Sequence, residues 1–310
     1  ATTSSTTCSS TPIPTGPPFV PGQPIPDIIV PVPGTRRLKW LEDNAAAADD
    51  LRRRWGFPVR AGAVTLRATG RVSLTNNSFI SSNTTFDGDA GEIDIEADLL
   101  SLQRSTISSS SELGAPGRSG NVRIAVRDLA LLDGSRVETE SSNSDPAGAI
   151  DIVADRILIQ DVLSGISSAN NFEQAGDAGT ASIRVRELSL IEGGIISTRS
   201  IAGAAGDIVI LMPRDGILRL VGRTFTNAIN TSSGPGTGGR IVIANPFAII
   251  SDGGSILALG EQGGANVQIL TDYFISSADR ANRVAVDGSF LLEAQVADVS
   301  SGTVERDLSI

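Results

Sequence analysis

Histidine is absent from this chain of 310 residues, and cysteine, methionine, tyrosine and lysine occur once each. Without histidine there is no imidazole to serve as general base, proton shuttle or metal ligand. The lone Cys8 cannot close an intrachain disulfide, so it leaves the redox compartment open. Aromatic residues make up only 4% of the chain, although 40% is hydrophobic. A compact globule of this length normally builds its core with more Phe, Tyr and Trp. No run of about 18 apolar residues exists, which removes a helical membrane span. The formal net charge of −10 argues against a nucleic-acid partner, whose phosphates need a basic surface.

What the chain does have is glycine, 33 residues of it, placed with a period. Gly91-Glu-Ile-Asp-Ile, Gly120-Asn-Val-Arg-Ile, Gly148-Ala-Ile-Asp-Ile, Gly206-Asp-Ile-Val-Ile and Gly239-Arg-Ile-Val-Ile repeat one phrase, with looser copies after Gly62, Gly179 and Gly264. Successive glycines lie 29, 29, 28, 31, 27, 33 and 25 residues apart. A period in this range means stacked repeats, and the strict alternation inside each copy is that of a strand. A second strand follows in each repeat, marked by Val72/Leu74, Leu100/Leu102, Leu129/Leu131, Ile157/Ile159, Leu188/Leu190 and Leu218/Leu220. Then comes a Ser/Thr/Asn segment around one apolar residue, as in Ile107-Ser-Ser-Ser and Ile196-Ser-Thr. Three strands per repeat predict an all-β, parallel β-helix of about eight or more coils, right-handed because parallel crossovers are.

The pattern divides the chain into three parts. Residues 1–35 form an extended Ser/Thr/Pro-rich arm holding more than half of the fifteen prolines. Its apolar groups Ile28, Ile29, Val30 and Val32 are the ones to be held by a partner surface. Residues 36–59 place Leu38, Leu41, Leu51 and Trp55 on one stripe, predicting a short amphipathic helix that caps the first coil. Residues 60–310 are the β-helix and its terminal coil.

Aligning the copies on their first inward residue gives Val64, Ile93, Val122, Ile150, Ile183, Ile208, Ile241 and Val267. The outward column beside it then contains Asp94, Arg123, Asp151 and Arg184, alternating in sign. On the later coils the same face turns apolar, gathering Val209, Leu211, Val242, Ala244 and Leu270. A contiguous outward apolar patch marks a contact surface.

Gly88-Asp-Ala-Gly-Glu-Ile-Asp-Ile, Leu100-Ser-Leu, Ser105-Thr-Ile-Ser-Ser-Ser and Gly176-Asp-Ala-Gly-Thr-Ala-Ser-Ile resemble the repeat of filamentous-haemagglutinin-like exoproteins, the β-helix passengers of two-partner secretion. The resemblance covers roughly residues 60–290. It implies a right-handed β-helix and a surface or extracellular location, and it hands over no catalytic residue. The amino-terminal secretion domain with its Asn-Pro-Asn motif is missing. The chain is therefore expected to be the carboxyl-terminal portion of a longer exoprotein, or a small relative exported by another route, with its signal peptide already removed.

Function is expected to be non-enzymatic. Polysaccharide lyases and epimerases on parallel β-helices need a charge neutraliser and an Arg, Lys or Tyr base, and hydrolases need paired carboxylates. Here lysine is confined to Lys39, tyrosine to Tyr273, and acidic residues are mostly single and spaced one per coil. Asp87, Asp89 and Asp177 are the nearest approach to a calcium site, in dipeptides that are ordinary turn formers. No cofactor or metal is expected. The expected role is a subunit of a self-assembling extracellular fibre, a homopolymer held head to tail with the arm docked on a neighbour. The alternative is a monomeric adhesin that binds glycans or a host surface through its Ser/Thr/Asn faces.

Overall fold

The computed structural model describes residues 60–84, 88–111, 117–171, 176–222, 227–277, 282–298 and 302–306. The predicted capping helix and the arm lie outside these residues. Every regular element among the described residues is a β-strand, and every strand pairing is parallel. The strands form two sheets of 12 and 9 strands wound around one apolar column. This is a parallel β-solenoid. The nine-stranded sheet holds one strand at each level of the stack, from Phe79–Ser81 at level 1 to Gly302–Arg306 at level 9.

The two glycine-led strands of a repeat are often one strand. At levels 2 to 5 the chain runs unbroken through Ile93–Gln103, Val122–Leu132, Ile150–Gln160 and Ala181–Ile191, and again at level 8 through Asn266–Ser276. Each of the first four turns a corner near its sixth residue, where two successive side chains face outward and the inward parity changes. At level 2 the inward residues are Ile93, Ile95 and Ala97 before the corner, and Leu100 and Leu102 after it. The third strands follow a second bend and complete each level with Ile107, Val137, Ile166, Ile196, Ile229 or Ile256 pointing inward. Inward aliphatics thus stack on aliphatics from the levels above and below, and a narrow column is filled almost without rings, Phe274 and Phe290 entering only at levels 8 and 9.

The glycine that opens levels 2 to 7 has a steric cause. A methyl on Gly91 would run into the carbonyl oxygen of Gly62, and the same holds for Gly120 on Gly91, Gly148 on Gly120, Gly179 on Gly148, Gly206 on Gly179 and Gly239 on Gly206. These backbones stack too closely for any side chain. Beside them runs an inward column of hydroxyls from the third strands: Ser82, Ser109, Thr139, Ser168, Thr198 and Thr231. Each donates to a glycine carbonyl. Ser82 Oγ reaches Gly62 O at 2.6 Å, Ser109 reaches Gly91 O at 2.7 Å, and Ser168 reaches Gly148 O at 2.8 Å. Ser82 and Ser168 also accept from the next glycine's N–H, at 3.1 Å from Gly91 and 2.9 Å from Gly179. One buried hydroxyl therefore bridges two levels.

The second bend is built from left-handed backbone. Asn76, Arg104, Asp133, Asp161 and Glu192 have φ between 48° and 77° on five successive levels, and Gly253 takes 84° at level 7. Such conformations cost non-glycine residues about 1–3 kcal/mol. Polar ladders offset part of that: Gln103 Nε2 donates to Asp133 Oδ2 at 2.6 Å, and Arg104 Nη2 to Asn76 Oδ1 at 3.2 Å.

One expectation is corrected. The strand pairing sets Ile150 against Ala181 and Ala181 against Ile208, so the first inward residue of level 5 is Ala181, not Ile183. The outward column accordingly reads Asp94, Arg123, Asp151 and then Ser182, while Arg184 sits one column over, beside Val153 and Leu211. A small residue occupies the position where the other repeats carry Ile or Val, and aligning on bulk slipped the register by two.

The glycine column predicts a sharp contrast between two identical chemical changes. Gly206→Ala places its methyl against backbone and should destabilise the fold by about 3 kcal/mol or more. Gly70 is exposed with open space around it, so Gly70→Ala should leave stability unchanged or raise it by about 0.4–1 kcal/mol. Denaturant midpoints of the two variants measure this.

Candidate interaction surface

The outer face of the 12-stranded sheet has two sections of different chemistry. On levels 1 to 5 it carries ions. Arg67 lies 4.0 Å from Asp94 and 3.5 Å from Glu96, and Arg123 lies 4.0 Å from Asp151. A denser ladder follows the corner: Arg127 pairs with Asp98 at 2.9 Å and Asp128 at 3.4 Å, and Arg156 with Asp128 at 2.6 Å. Arg186 continues it to Asp215. The Arg156 hydrogen bond holds the Asp128 carboxyl below its usual range, more than partial burial raises it. The corner ladder was not foreseen, although its signal is in the sequence: Ala97-Asp-Leu-Leu, Val126-Arg-Asp-Leu, Ala154-Asp-Arg-Ile and Val185-Arg-Glu-Leu place charges just before each second apolar pair. Surface pairs of this kind contribute about 0–1 kcal/mol each, so their main effect is on register.

From level 6 onward the same face gains an apolar patch, bordered by the Arg240–Asp207 ion pair at 3.3 Å and by Gln268 and Glu293. Val209 pairs with Val242, Leu211 with Ala244 and Ala244 with Leu270, so all five residues singled out from sequence are brought together. Leu211 is 38% exposed, while Ala244 is buried at 8% and forms the floor between Leu211 and Leu270. Leu291, 43% exposed, extends the patch to level 9 across Gln268. Beyond the corner, on the second halves of levels 7 to 9, lies a further apolar group. Phe247 is 45% exposed and its ring centroid is 4.9 Å from that of Tyr273. Ile250 and Ile275 are adjacent in register, as are Tyr273 and Val296. This group was missed because only its inward partners, such as Phe274, stand out as core. The rarity of aromatics could have flagged it.

The remaining candidates fall elsewhere. Ile28, Ile29, Val30 and Val32, the stripe of Leu38, Leu41, Leu51 and Trp55, and Asp87 and Lys39 lie outside the described residues. Asp89 and Asp177 sit in the loops before levels 2 and 5, where each accepts a backbone N–H from the next level, Arg118 at 3.1 Å and Ala204 at 2.8 Å. Among the described residues no three His, Cys, Asp or Glu side chains gather as metal ligands. The outer face of the nine-stranded sheet carries a half-buried acid, Glu138. Glu138 Oε2 lies 2.9 Å from Arg136 Nε, close enough for an ion pair but without an aligned hydrogen bond, and its side chain is 15% exposed. Desolvation raises its pKa above the ordinary value, with Glu140 adding to the effect and Arg136 opposing it.

These features define the class: a parallel β-solenoid whose one sheet face carries ion ladders over its first levels and an apolar patch over its last. Comparison with protein-family models, with curated proteins and with solved structures gives no match. Among the described residues no helix is long and apolar enough to cross a membrane.

Glu138 supplies a pH-dependent test of the geometry. Because the folded state holds its proton more tightly than the unfolded state, the acid is harmless below the ordinary glutamate range. It becomes destabilising as pH rises through its raised value. Glu138→Gln should therefore melt above the parent at pH 7, and the gap should close as the pH is taken down to about 4. Melting curves at both pH values check the sign.

Proposed function

We propose that this chain is a secreted, non-enzymatic structural protein. In this reading it is a subunit of an extracellular fibre that assembles head to tail, with the N-terminal arm docked on the apolar levels of the neighbour. The observation that carries the reading is the appearance, on a sheet face that carries ion ladders at levels 1 to 5, of an apolar patch of Val209, Leu211, Val242, Leu270 and Leu291 at levels 6 to 9, beside the Arg240–Asp207 pair. An outward apolar surface of this kind loses water favourably when covered, at about 25 cal/mol per Å².

Two further features support it. A solenoid ends in strands whose outer edges offer unpaired N–H and C=O groups, a ready template for another chain. A contact between unlike ends does not close on itself, and so it propagates. The repeat's resemblance to filamentous-haemagglutinin-like exoproteins agrees with a surface or extracellular setting. The adhesin alternative draws its glycan site from Ser, Thr and Asn, but Ser109, Thr139, Ser168, Thr198 and Thr231 are buried and committed to glycine carbonyls. Hydrolytic or lyase chemistry finds its carboxylates committed to arginine ladders on an open face.

The test is assembly. The full chain should form filaments in negative-stain micrographs, and deletion of residues 1–35 should abolish them while leaving the β-sheet circular dichroism unchanged. Leu211→Asp should do the same, since it places a charge in the patch without entering the core. Filaments of normal length from either variant, or short rods from the full chain, would contradict the proposal.

A further inference from the structure

The arm's landing site can be assigned more closely, on the reading just given that the arm docks on the late levels. Three observations converge on the second half of the sheet face, beyond the corner, and not on the Val209–Leu270 patch alone.

The first is the surface. The chain has nine Phe, two Trp and one Tyr in 310 residues, yet Phe247 and the sole tyrosine, Tyr273, stand together on the outside with centroids 4.9 Å apart. Around them Ile275 is 42% exposed and Val296 50%, with Ile250 beside Ile275 in register. Exposed rings set among aliphatics form the kind of face on which proline-rich, polyproline-type segments dock.

The second is the ligand chemistry carried by the arm. Pro24-Ile-Pro-Asp-Ile-Ile-Val-Pro-Val-Pro33 has prolines at 24, 26, 31 and 33. Those positions lack N–H groups, so the segment cannot add a full strand to a sheet edge. In a helix of three residues per turn, Pro26, Ile29 and Val32 share one side and Ile25, Ile28 and Pro31 the next. The third side carries Asp27 between Pro24, Val30 and Pro33. Two of three sides are thus wholly apolar, and the single charge can face water.

The third is reach. The chain enters level 1 at Val64, and levels 7 to 9 lie about 30–40 Å away at ~4.8 Å per level. The 27 residues from Pro33 to Arg60 can span up to about 90 Å. Length therefore permits docking on the same molecule or on the next.

We propose that the Phe247–Tyr273 surface is a polyproline-binding site whose occupant is the Pro24–Pro33 segment of this same protein. The rings pack on the proline and isoleucine sides of the segment, and Asp27 stays in solvent.

Photo-crosslinking of the full chain tests this. Benzoylphenylalanine is placed at Phe247 in one variant, at Ile275 in a second, and at Val153 as a control, which is 45% exposed on the ionic section. Each variant is mixed with an equal amount of the same variant labelled with ¹⁵N, then irradiated and digested. Crosslinks from positions 247 and 275 to residues 22–35, several-fold above those from 153, support the site. Mixed-isotope pairs among them support docking between molecules as well. Same-isotope pairs alone keep the polyproline site but overturn the fibre reading, since the arm then folds onto its own body. Crosslinks from 247 and 275 to other segments, or none at all, overturn the site whatever the micrographs show.

Discussion

The structure rests on the close stacking of one glycine backbone on the next. Because Gly62, Gly91, Gly120, Gly148, Gly179, Gly206 and Gly239 have no side chain, the third strand of each level can approach the first. Its inward Ser or Thr then satisfies a carbonyl that would otherwise be buried without a donor. An unpaired buried carbonyl costs about 1–3 kcal/mol, and here the hydroxyls from Ser82 to Thr231 supply the partner for the carbonyls of Gly62, Gly91, Gly148 and Gly206, the last two receiving two each. Where the hydroxyl column ends, its place is taken by Ala258 and then Val286. The levels are thereby locked in height and register before any surface pair contributes.

That lock leaves the outer faces free to carry other chemistry. In a solenoid each level contacts only its neighbours, so stability accumulates from one interface to the next and no single core has to grow. The outward columns can change from ions to aliphatics along the stack without disturbing the interior. The ionic levels keep neighbours in register and water-exposed. The apolar levels gather surface that a second chain can cover. A single sheet face thus combines a solvated section with a contact section, and the function proposed above depends on that division.

Much of this was legible in the sequence because a period of two and a period of about 28 leave few alternatives. The glycine phrase located levels 1 to 8 but not the ninth, which Gly288 opens, and the apolar pairs from Val72/Leu74 to Leu218/Leu220 fell in register as expected. Val209, Leu211, Val242, Ala244 and Leu270 fall in adjacent register, the first four from copies with intact Gly-x-Ile spacing and Leu270 from the looser Gly264-Ala-Asn-Val. Level 5 was misread for a physical reason: Gly179-Thr-Ala-Ser-Ile keeps the spacing but fills the first inward site with Ala181. A two-residue slip preserves which side faces in, so the error moved a column and left the core intact. The inward turn of the hydroxyls was not legible, because what draws them in is a glycine carbonyl 8 to 25 residues away. The left-handed bend was invisible for a similar reason, since Asn, Arg, Asp and Glu all occupy it and are held there by ladders between levels. The Phe247–Tyr273 pair joins residues 26 apart, a contact that only the register creates.

The account's central claim is a solenoid that continues from one molecule into the next, and the helical rise of the filament measures it most directly. Nine levels at ~4.8 Å give about 43 Å along the axis. Cryo-electron microscopy of filaments from the full chain should therefore find an axial rise of about 43 Å or somewhat more per subunit, with strands perpendicular to the axis. A rise well below about 40 Å, or a preparation that contains only isolated rods, would contradict it.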